Sequence, residues 1–533
     1  MAALPIVFND TETVVLYGDS ITEQNLYAAF IETFLITRFP KKKLTIYNFG
    51  WGGDTAPGGN ARFARDVAPV KPTVVFVNFG MNDGSYCPFN QEIYDRFMNG
   101  EKALADTIKA SGAREVLLTT CPIDYDKRED RDVYNESLAR QADGVIQLGA
   151  ERKLPVADIF NPMRAVQKQI KERIPGFTMI PDSVHPDPVG HLVMAYYVLR
   201  QIDAPKQIGK IDVAGTKLTH AEGVTISNFT NGEHALEFDV ELPFIPLYVP
   251  PEARRALDFV PLQQELNRFV LKVQGWEQYA CAIMIDGKEA AVVLPHELSA
   301  GVDLAQLEDA PWTEQARQVW NIAQTRWQRH FHVWRQMGFE TQAEMLAMPA
   351  FETLRAATQA FVRDLSTTLA KIAQPRRYHV RLERSRTLAL PHVAFSPHYP
   401  YKDDDFEKKF PPEVNPEAVV WTPVPLKQFA ADLSKHFNNA VNCVSYGRVK
   451  VDAESACSAR LILGSDDGLT VFVNGKTVLA RDVRRALRLG DDEVTVPLNK
   501  GANELLFRVT QFGGAYGFAL KMRIEGNVKV NVI

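Results

Sequence analysis

The sequence is poor in cysteine, has no concentration of charge of either sign and contains no long apolar run. Each absence removes a class of protein. Five cysteines (Cys87, Cys121, Cys281, Cys443 and Cys457) are scattered over 533 residues without a CxxC pair. An odd number in so long a chain does not describe a disulfide framework, and no spacing matches a metal-ligand set. No metal and no cofactor is therefore expected, and Cys443 and Cys457, the one pair that neighbouring strands could join, are expected to stay reduced. Lys and Arg number 60 against 65 Asp and Glu, a formal net charge of −5. Without clustered basic residues nothing is available to hold a phosphate backbone, so no nucleic-acid partner is expected. The longest apolar stretches are strand-sized, short of the roughly 20 residues of a membrane span. The start, MAALPIVFND, lacks the basic and apolar regions of a signal peptide. It reads as cytoplasmic, or as the mature form of an exported protein.

What is present is ordinary globular composition, 46% hydrophobic and 23% charged. The length suggests three or four domains at about 150 residues each. Over residues 12–205, short β-branched runs (Thr13–Tyr17, Leu44–Asn48, Thr73–Phe79, Glu115–Thr120 and the weaker Val156–Asp158) alternate with helical patterns (Leu26–Arg38, Ile93–Ser111, Tyr134–Arg152, Val189–Gln201). That alternation predicts βαβ units and a parallel sheet. After Pro205 the pattern becomes short, alternating and turn-bounded, with Asp286–Gly287 as a hairpin turn. The expected division is residues 1–205, a small antiparallel β domain at 206–298, a helical segment at 299–385, and a Pro-rich linker with a β-sandwich at 386–533. Trp312, Trp320, Trp327 and Trp334 lie in the helical segment and are read as packing residues rather than a sugar platform.

Chemistry concentrates at the ends of the first strands. Tyr17-Gly18-Asp19-Ser20-Ile21-Thr22 follows the first strand, Asn48-Phe49-Gly50-Trp51-Gly52-Gly53-Asp54-Thr55 the second, and Gly80-Met81-Asn82-Asp83-Gly84 the third, while Asp182-Ser183-Val184-His185-Pro186 precedes the last helix. Acyl transfer needs a nucleophile, a base, a group that orients the base and donors aimed at an oxyanion. One edge of a parallel sheet can gather all four. Ser20 is the candidate nucleophile, His185 the base, and Asp182 its orienting carboxylate. The backbone N–H groups of Ser20 and Gly53 with the Asn82 side chain are the candidate oxyanion hole.

These four stretches, in this order, resemble the SGNH (GDSL-type) hydrolases. The resemblance covers about residues 12–205 and implies a flavodoxin-like three-layer α/β domain, with Ser20, Asp182 and His185 as triad and Ser20, Gly53 and Asn82 around the oxyanion. The GxSxG elbow of α/β-hydrolases is missing. YGDSITEQ, GWGGD, GMNDG and HPDPVGHLVMA are similar to a multidomain bacterial subgroup. In the C-terminal block, Gly464-Ser465-Asp466-Asp467-Gly468, Val471–Lys476 and Leu498–Leu505 resemble jelly-roll accessory modules of carbohydrate-active enzymes, a likeness that speaks more for a sandwich than for sugar binding.

Trp51 and Tyr86, in the loops after the second and third strands, either stack on a sugar or cover the sheet edge. Asp19, Asp54 and Asp83 are read as loop-orienting hydrogen-bond partners, His191 as structural, and His330 and His332 as packed or solvated rather than metal-bound. The expected function is hydrolysis of small acyl esters, acetyl above all, on a carbohydrate or other small ester substrate. The alternatives are a lipid or thioester hydrolase, and a non-catalytic carbohydrate-binding or scaffold protein. The modules after Pro205 are expected to matter for polymeric substrates and little for a small aryl ester.

Overall fold

The structure is a computed structural model that describes residues 4–533 apart from 125–132, 175, 233–234, 277–279, 341–344, 346–347, 403–404, 428 and 527. Five strands, β1 (Thr11–Gly18), β2 (Lys43–Asn48), β3 (Val74–Asn78), β4 (Arg114–Leu118) and β5 (Val156–Ala157), form one sheet in the order β2-β1-β3-β4-β5. Every pairing is parallel. The central strands read as apolar runs, Val14–Tyr17 in β1 and Val74–Val77 in β3, because both faces are buried there. In β1, Val14 and Leu16 enter one core and Val15 and Tyr17 the other; Val74 and Phe76 against Val75 and Val77 repeat the division in β3. Side chains alternate across a strand, so two cores mean helices on both faces. Helices α1 (Ser20–Glu23), α2 (Leu26–Arg38), α3 (Ala56–Asp66), α4 (Gln91–Ala110), α5 (Val133–Arg152), α6 (Phe160–Arg173) and α7 (Pro188–Leu199) complete the layers. The chain leaves β1 for β2 on one side and returns to β3 on the other, which opens a crevice at the carboxyl end of β1.

The next two sheets share one core. One holds β6 (Gln207–Ala214), β7 (Lys217–Glu222), β10 (Arg268–Gln274) and β13 (Val302–Asp303); the other holds β8 (Thr225–Asn231), β9 (Ala235–Glu241), β11 (Cys281–Ile285), β12 (Lys288–Val293) and β14 (Arg377–Arg384). Asp286 and Gly287 turn the β11–β12 hairpin with φ of 51° and 79°. Two features differ from the sequence reading. β6 and β10 pair in parallel, so the first sheet is mixed. β14, within the stretch expected to be helical, lies between β11 and β9. Its side chains alternate as a strand's do, with Tyr378, Val380 and Leu382 fully buried.

Between β13 and β14 runs a helical insertion, Pro311–Phe331, the π-helical His332–Glu340 and Pro349–Ile372. It packs on the first domain. Trp320 meets Phe30 of α2 at 4.7 Å between ring centroids, and buried Arg326 donates to buried Glu32 at 2.6 Å. Trp312 is buried and its indole N–H donates to the Leu304 carbonyl. From the other side, Arg38 at the end of α2 donates to the Ile245 and Leu266 carbonyls and to Asn267 Oδ1. The C-terminal block is a sandwich of an eight-stranded and a four-stranded sheet around one core. The stretch read as a Pro-rich linker contributes His392–Phe395, Tyr399–Pro400 and Thr422–Pro425 to the larger sheet. Its Tyr401 and Phe410 are buried against Val444, Tyr446 and Leu506. The five cysteines are free. Among the described residues no helix is long and apolar enough to cross a membrane.

Candidate active site

Because β1, β2 and β3 run parallel, the three motif loops leave the same edge of the sheet. Asp19 caps α1, its carboxyl oxygen accepting from the Ile21 N–H at 3.0 Å, which fixes the turn that presents Ser20. The loop after β2 lies directly on that turn. A Cβ at Gly50 would sit 2.2 Å from the Glu23 nitrogen, so only glycine allows the approach. Asn48 seals it by donating to the Thr22 carbonyl at 2.7 Å. Gly53 has a φ of +76°, the left-handed region that glycine enters at no steric cost.

Ser20 Oγ lies 2.8 Å from His185 Nε2. On the far side of the ring, His185 Nδ1 is 2.7 Å from Asp182 Oδ2. The other Asp182 oxygen accepts from the backbone N–H groups of Val184 and His185 at 2.9 and 2.6 Å. Partial burial pushes the Asp182 carboxyl up, but these N–H donors and the imidazole outweigh it and hold the group below the usual carboxylate range. The chain thus brings Ser20, His185 and Asp182 into one hydrogen-bonded row. Asn82 Nδ2 donates to the Asp54 carbonyl at 2.9 Å, placing the amide beside Gly53. An amide nitrogen carries two hydrogens, so this bond leaves one N–H to donate elsewhere. Tyr86, 45% exposed, donates its hydroxyl to Asn82 Oδ1 at 2.9 Å, and the Asp54 carbonyl, which can only accept, fixes which end of the amide is the donor.

Asp54 accepts from the Thr55 N–H and from Arg62 Nε at 2.6 Å, and Asp83 from the Ala56 and Gly80 N–H groups at 2.9 and 3.0 Å. Both bind loop groups. His191 is buried, accepts from the Tyr27 N–H through Nδ1 and meets Gln24 Oε1 through Nε2; burial pushes its pKa down to about 3. His330 packs edge-on against Tyr47 and Phe49 and stacks on Trp334.

Two contributors escape a reading of the sequence. Arg62, buried in α3, donates to the Phe49 carbonyl at 2.9 Å and the Gly18 carbonyl at 3.2 Å, tying the loops after β1 and β2. In the sequence it looks like one end of an exposed i,i+4 pair with Asp66. The other is the helical insertion. Arg335 lies over the Trp51 ring, Cζ 3.4 Å from its centroid, with Trp334 and Phe339 against the ring at 5.9 and 5.4 Å. Trp51 is thereby half-buried, one face covered. The helical insertion thus reaches the loop that follows β2.

Burial pushes the Asp19 carboxyl up to about 8 and the Asp83 carboxyl to about 7. A carboxyl raised in the folded state contributes stability that is fully present below its unfolded pKa near 4, and that is lost as pH rises through the folded value. Asp19→Asn keeps the cap and removes the titration. Its melting temperature, relative to the parent, should climb by a few degrees from pH 5 to pH 9. A difference constant across that range would contradict the buried, protonated Asp19.

A parallel three-layer domain with these loops at one sheet edge defines the class: an SGNH hydrolase. Residues 16–193 match the family model described as the GDSL-like Lipase/Acylhydrolase family, and this part of the chain is a carboxylic ester hydrolase domain of that family. An acetylxylan esterase from Geobacillus stearothermophilus is 24% identical over 216 residues, 36% of this chain and 94% of that protein. A crystal structure of the acetylxylan esterase from the same organism is 23% identical over 36% of this chain and 94% of its own, with a TM-score of 0.31. A solved structure described as a gut microbial diltiazem-metabolizing enzyme is 24% identical, with a TM-score of 0.64 over 72% of this chain and all of that one. That last likeness speaks for the fold.

Proposed function

We propose that the hydrolase domain releases acetyl groups from esterified carbohydrates through a Ser20–His185–Asp182 triad. The reading rests on the hydrogen-bonded row in which His185 stands 2.8 Å from Ser20 and 2.7 Å from Asp182. Ser20 Oγ attacks the ester carbonyl carbon while His185 Nε2 takes its proton. The carbonyl oxygen becomes an oxyanion facing the Ser20 and Gly53 N–H groups and the Asn82 amide. Collapse breaks the bond to the sugar oxygen, which takes the proton from His185 and leaves as the hydroxyl. Water, activated by the same imidazole, then attacks the acyl-enzyme and frees acetate. Asp182 holds the Nδ1–H tautomer and balances the imidazolium.

The carbohydrate part is supported by the likeness to an acetylxylan esterase and by the β-sandwich at 386–533. Tyr86, exposed and bonded to Asn82, is the substrate contact of this reading, and Trp51 serves its loop. The division into a hydrolase at 1–205, a small β domain, a helical segment and a sandwich belongs to the proposal, with β14 assigned to the small β domain. A cavity of about 450 Å³ lined by Val74, Ala105, Glu115 and Leu154 lies at the opposite end of the sheet and plays no part in it.

An aryl ester series tests the acyl preference. Acetyl should exceed octanoyl by at least about tenfold in kcat/KM, as one poorly accommodated chain supplies. Acetate release from acetylated polysaccharide should accompany it. A preference for octanoyl would replace the carbohydrate reading with a lipid hydrolase.

A further inference from the structure

We infer that Arg335, carried by the helical insertion far from the hydrolase motifs in sequence, is a positioning residue that holds the oxyanion loop through Trp51. The inference rests on the proposed role of Gly53 in the oxyanion hole.

Two contacts carry it. The guanidinium covers the Trp51 ring at 3.4 Å from Cζ to the centroid, a cation over the negative face of an aromatic ring. On its other side, Arg335 Nε lies 3.8 Å from Glu23 Oε1, and the two side chains are only 16% and 25% exposed. Glu23 ends the α1 turn that begins at Ser20. Its second oxygen stands 2.8 Å from where a Gly52 Cβ would be, and that same Cβ would be 3.9 Å from Ser20 Cβ. Arg335 therefore touches both sides of the cleft, the serine turn through Glu23 and the Gly52–Gly53 loop through Trp51.

The backbone of the loop explains why a ring two residues away governs Gly53. Trp51 N–H donates to the Gly18 carbonyl and the Trp51 carbonyl accepts from Asp54 N–H. These bonds close a turn around Gly52 and Gly53, so rotation of the Trp51 backbone re-aims the Gly53 N–H. Glycine at a φ of +76°, with nothing within 4 Å of a would-be Cβ, has no side chain to hold it. The restraint comes from the Trp51 ring, which Arg335, Trp334 and Phe339 clamp from the insertion and Arg65 from α3. The clamp is itself seated, since Trp334 packs edge-on against Phe49 of the same loop at 4.8 Å. His332–Glu340 is π-helical, a rare geometry that is frequent at functional sites. An oxyanion donor works by being aimed before charge develops. A loosened loop should lower kcat and leave ground-state binding nearly as it was.

Steady-state kinetics of the full chain on an aryl acetate test this. Arg335→Ala should lower kcat about tenfold or more with KM within about twofold. Arg335→Lys, which keeps a cation over the ring and opposite Glu23, should recover most of the loss. Affinity for a trifluoromethyl ketone that adds to Ser20 should fall by the same factor as kcat/KM, because the adduct places an oxyanion in the hole. Trp51→Ala combined with Arg335→Ala should be no worse than Trp51→Ala alone. An unchanged kcat, an effect on KM alone, or independent losses in the double variant would overturn the assignment, leaving Arg335 a packing or substrate residue. If Arg335→Ala does not fold, Arg335→Gln supplies the uncharged comparison. Full activity in Ser20→Ala would instead remove the active-site reading beneath it, so the two failures are distinguishable.

Discussion

Ser20→Ala should fold like the parent and lose roughly four to six orders of magnitude in ester turnover, the scale seen when a triad nucleophile is removed. The fold should survive because Ser20 holds no structural bond in common with the Asp19 cap, and Asp19 still accepts from Ile21. The loss should be nearly total because no second hydroxyl shares the His185 imidazole at bonding distance among the described residues. His185 alone can only activate water, without a covalent intermediate. A serine-directed phosphonate should label the parent at Ser20 and leave the variant unlabelled. Undiminished hydrolysis by Ser20→Ala, with a melting curve like the parent's, would sink the triad mechanism. Residual activity of a few per cent would call for a general-base mechanism through His185.

Asn82→Ala should cost about 10²–10³ in kcat with a smaller effect on KM. The carboxamide donates one hydrogen to the Asp54 carbonyl, so it is fixed before substrate arrives and need not reorganise as charge develops. Asn82→Ala also removes the acceptor of the Tyr86 hydroxyl. Tyr86→Phe is therefore the necessary companion, expected to change KM more than kcat. If Asn82→Ala raised KM and spared kcat, the side chain would be a substrate contact and the oxyanion would rest on backbone donors.

The hydrolase domain was legible where local chemistry and global fold agree. Where a strand is buried on both faces it runs apolar, as Val14–Tyr17 of β1 and Val74–Val77 of β3 do. Ser20, Asn82 and His185 stand in loops at strand or helix ends, where the core does not call for a polar side chain, so they stand out as candidates in one dimension. Arg62 was not visible, because a buried arginine that binds carbonyls and an exposed one that pairs with an aspartate share the same spacing. Arg335 was hidden more deeply, since nothing near it in the chain refers to Trp51. The parallel partnership of β6 with β10 has no local signature either: it spans a long connection, whereas the antiparallel hairpins announce themselves at Asp286–Gly287 and at Asn474–Gly475, with φ of 49° and 76°. The period-two pattern of β14 was present in Tyr378, Val380 and Leu382, but charged outward residues and the preceding helix masked it. Outward Arg381 pairs with Glu237 and Glu383, and His379 with Asp239.

The position of β14 has a consequence for synthesis. Until Arg377–Arg384 leaves the ribosome, β8–β9 and β11–β12 are two separate hairpins, each marginal in water and each with an unpaired edge waiting for the same strand. The hydrolase sheet is complete long before, yet the insertion residues that clamp Trp51 are translated only shortly ahead of that strand. The nascent chain therefore passes through an interval in which the Ser20 edge is formed but unwalled. In that interval two open β edges trail behind it, the stretch of biogenesis during which a chaperone has most to protect.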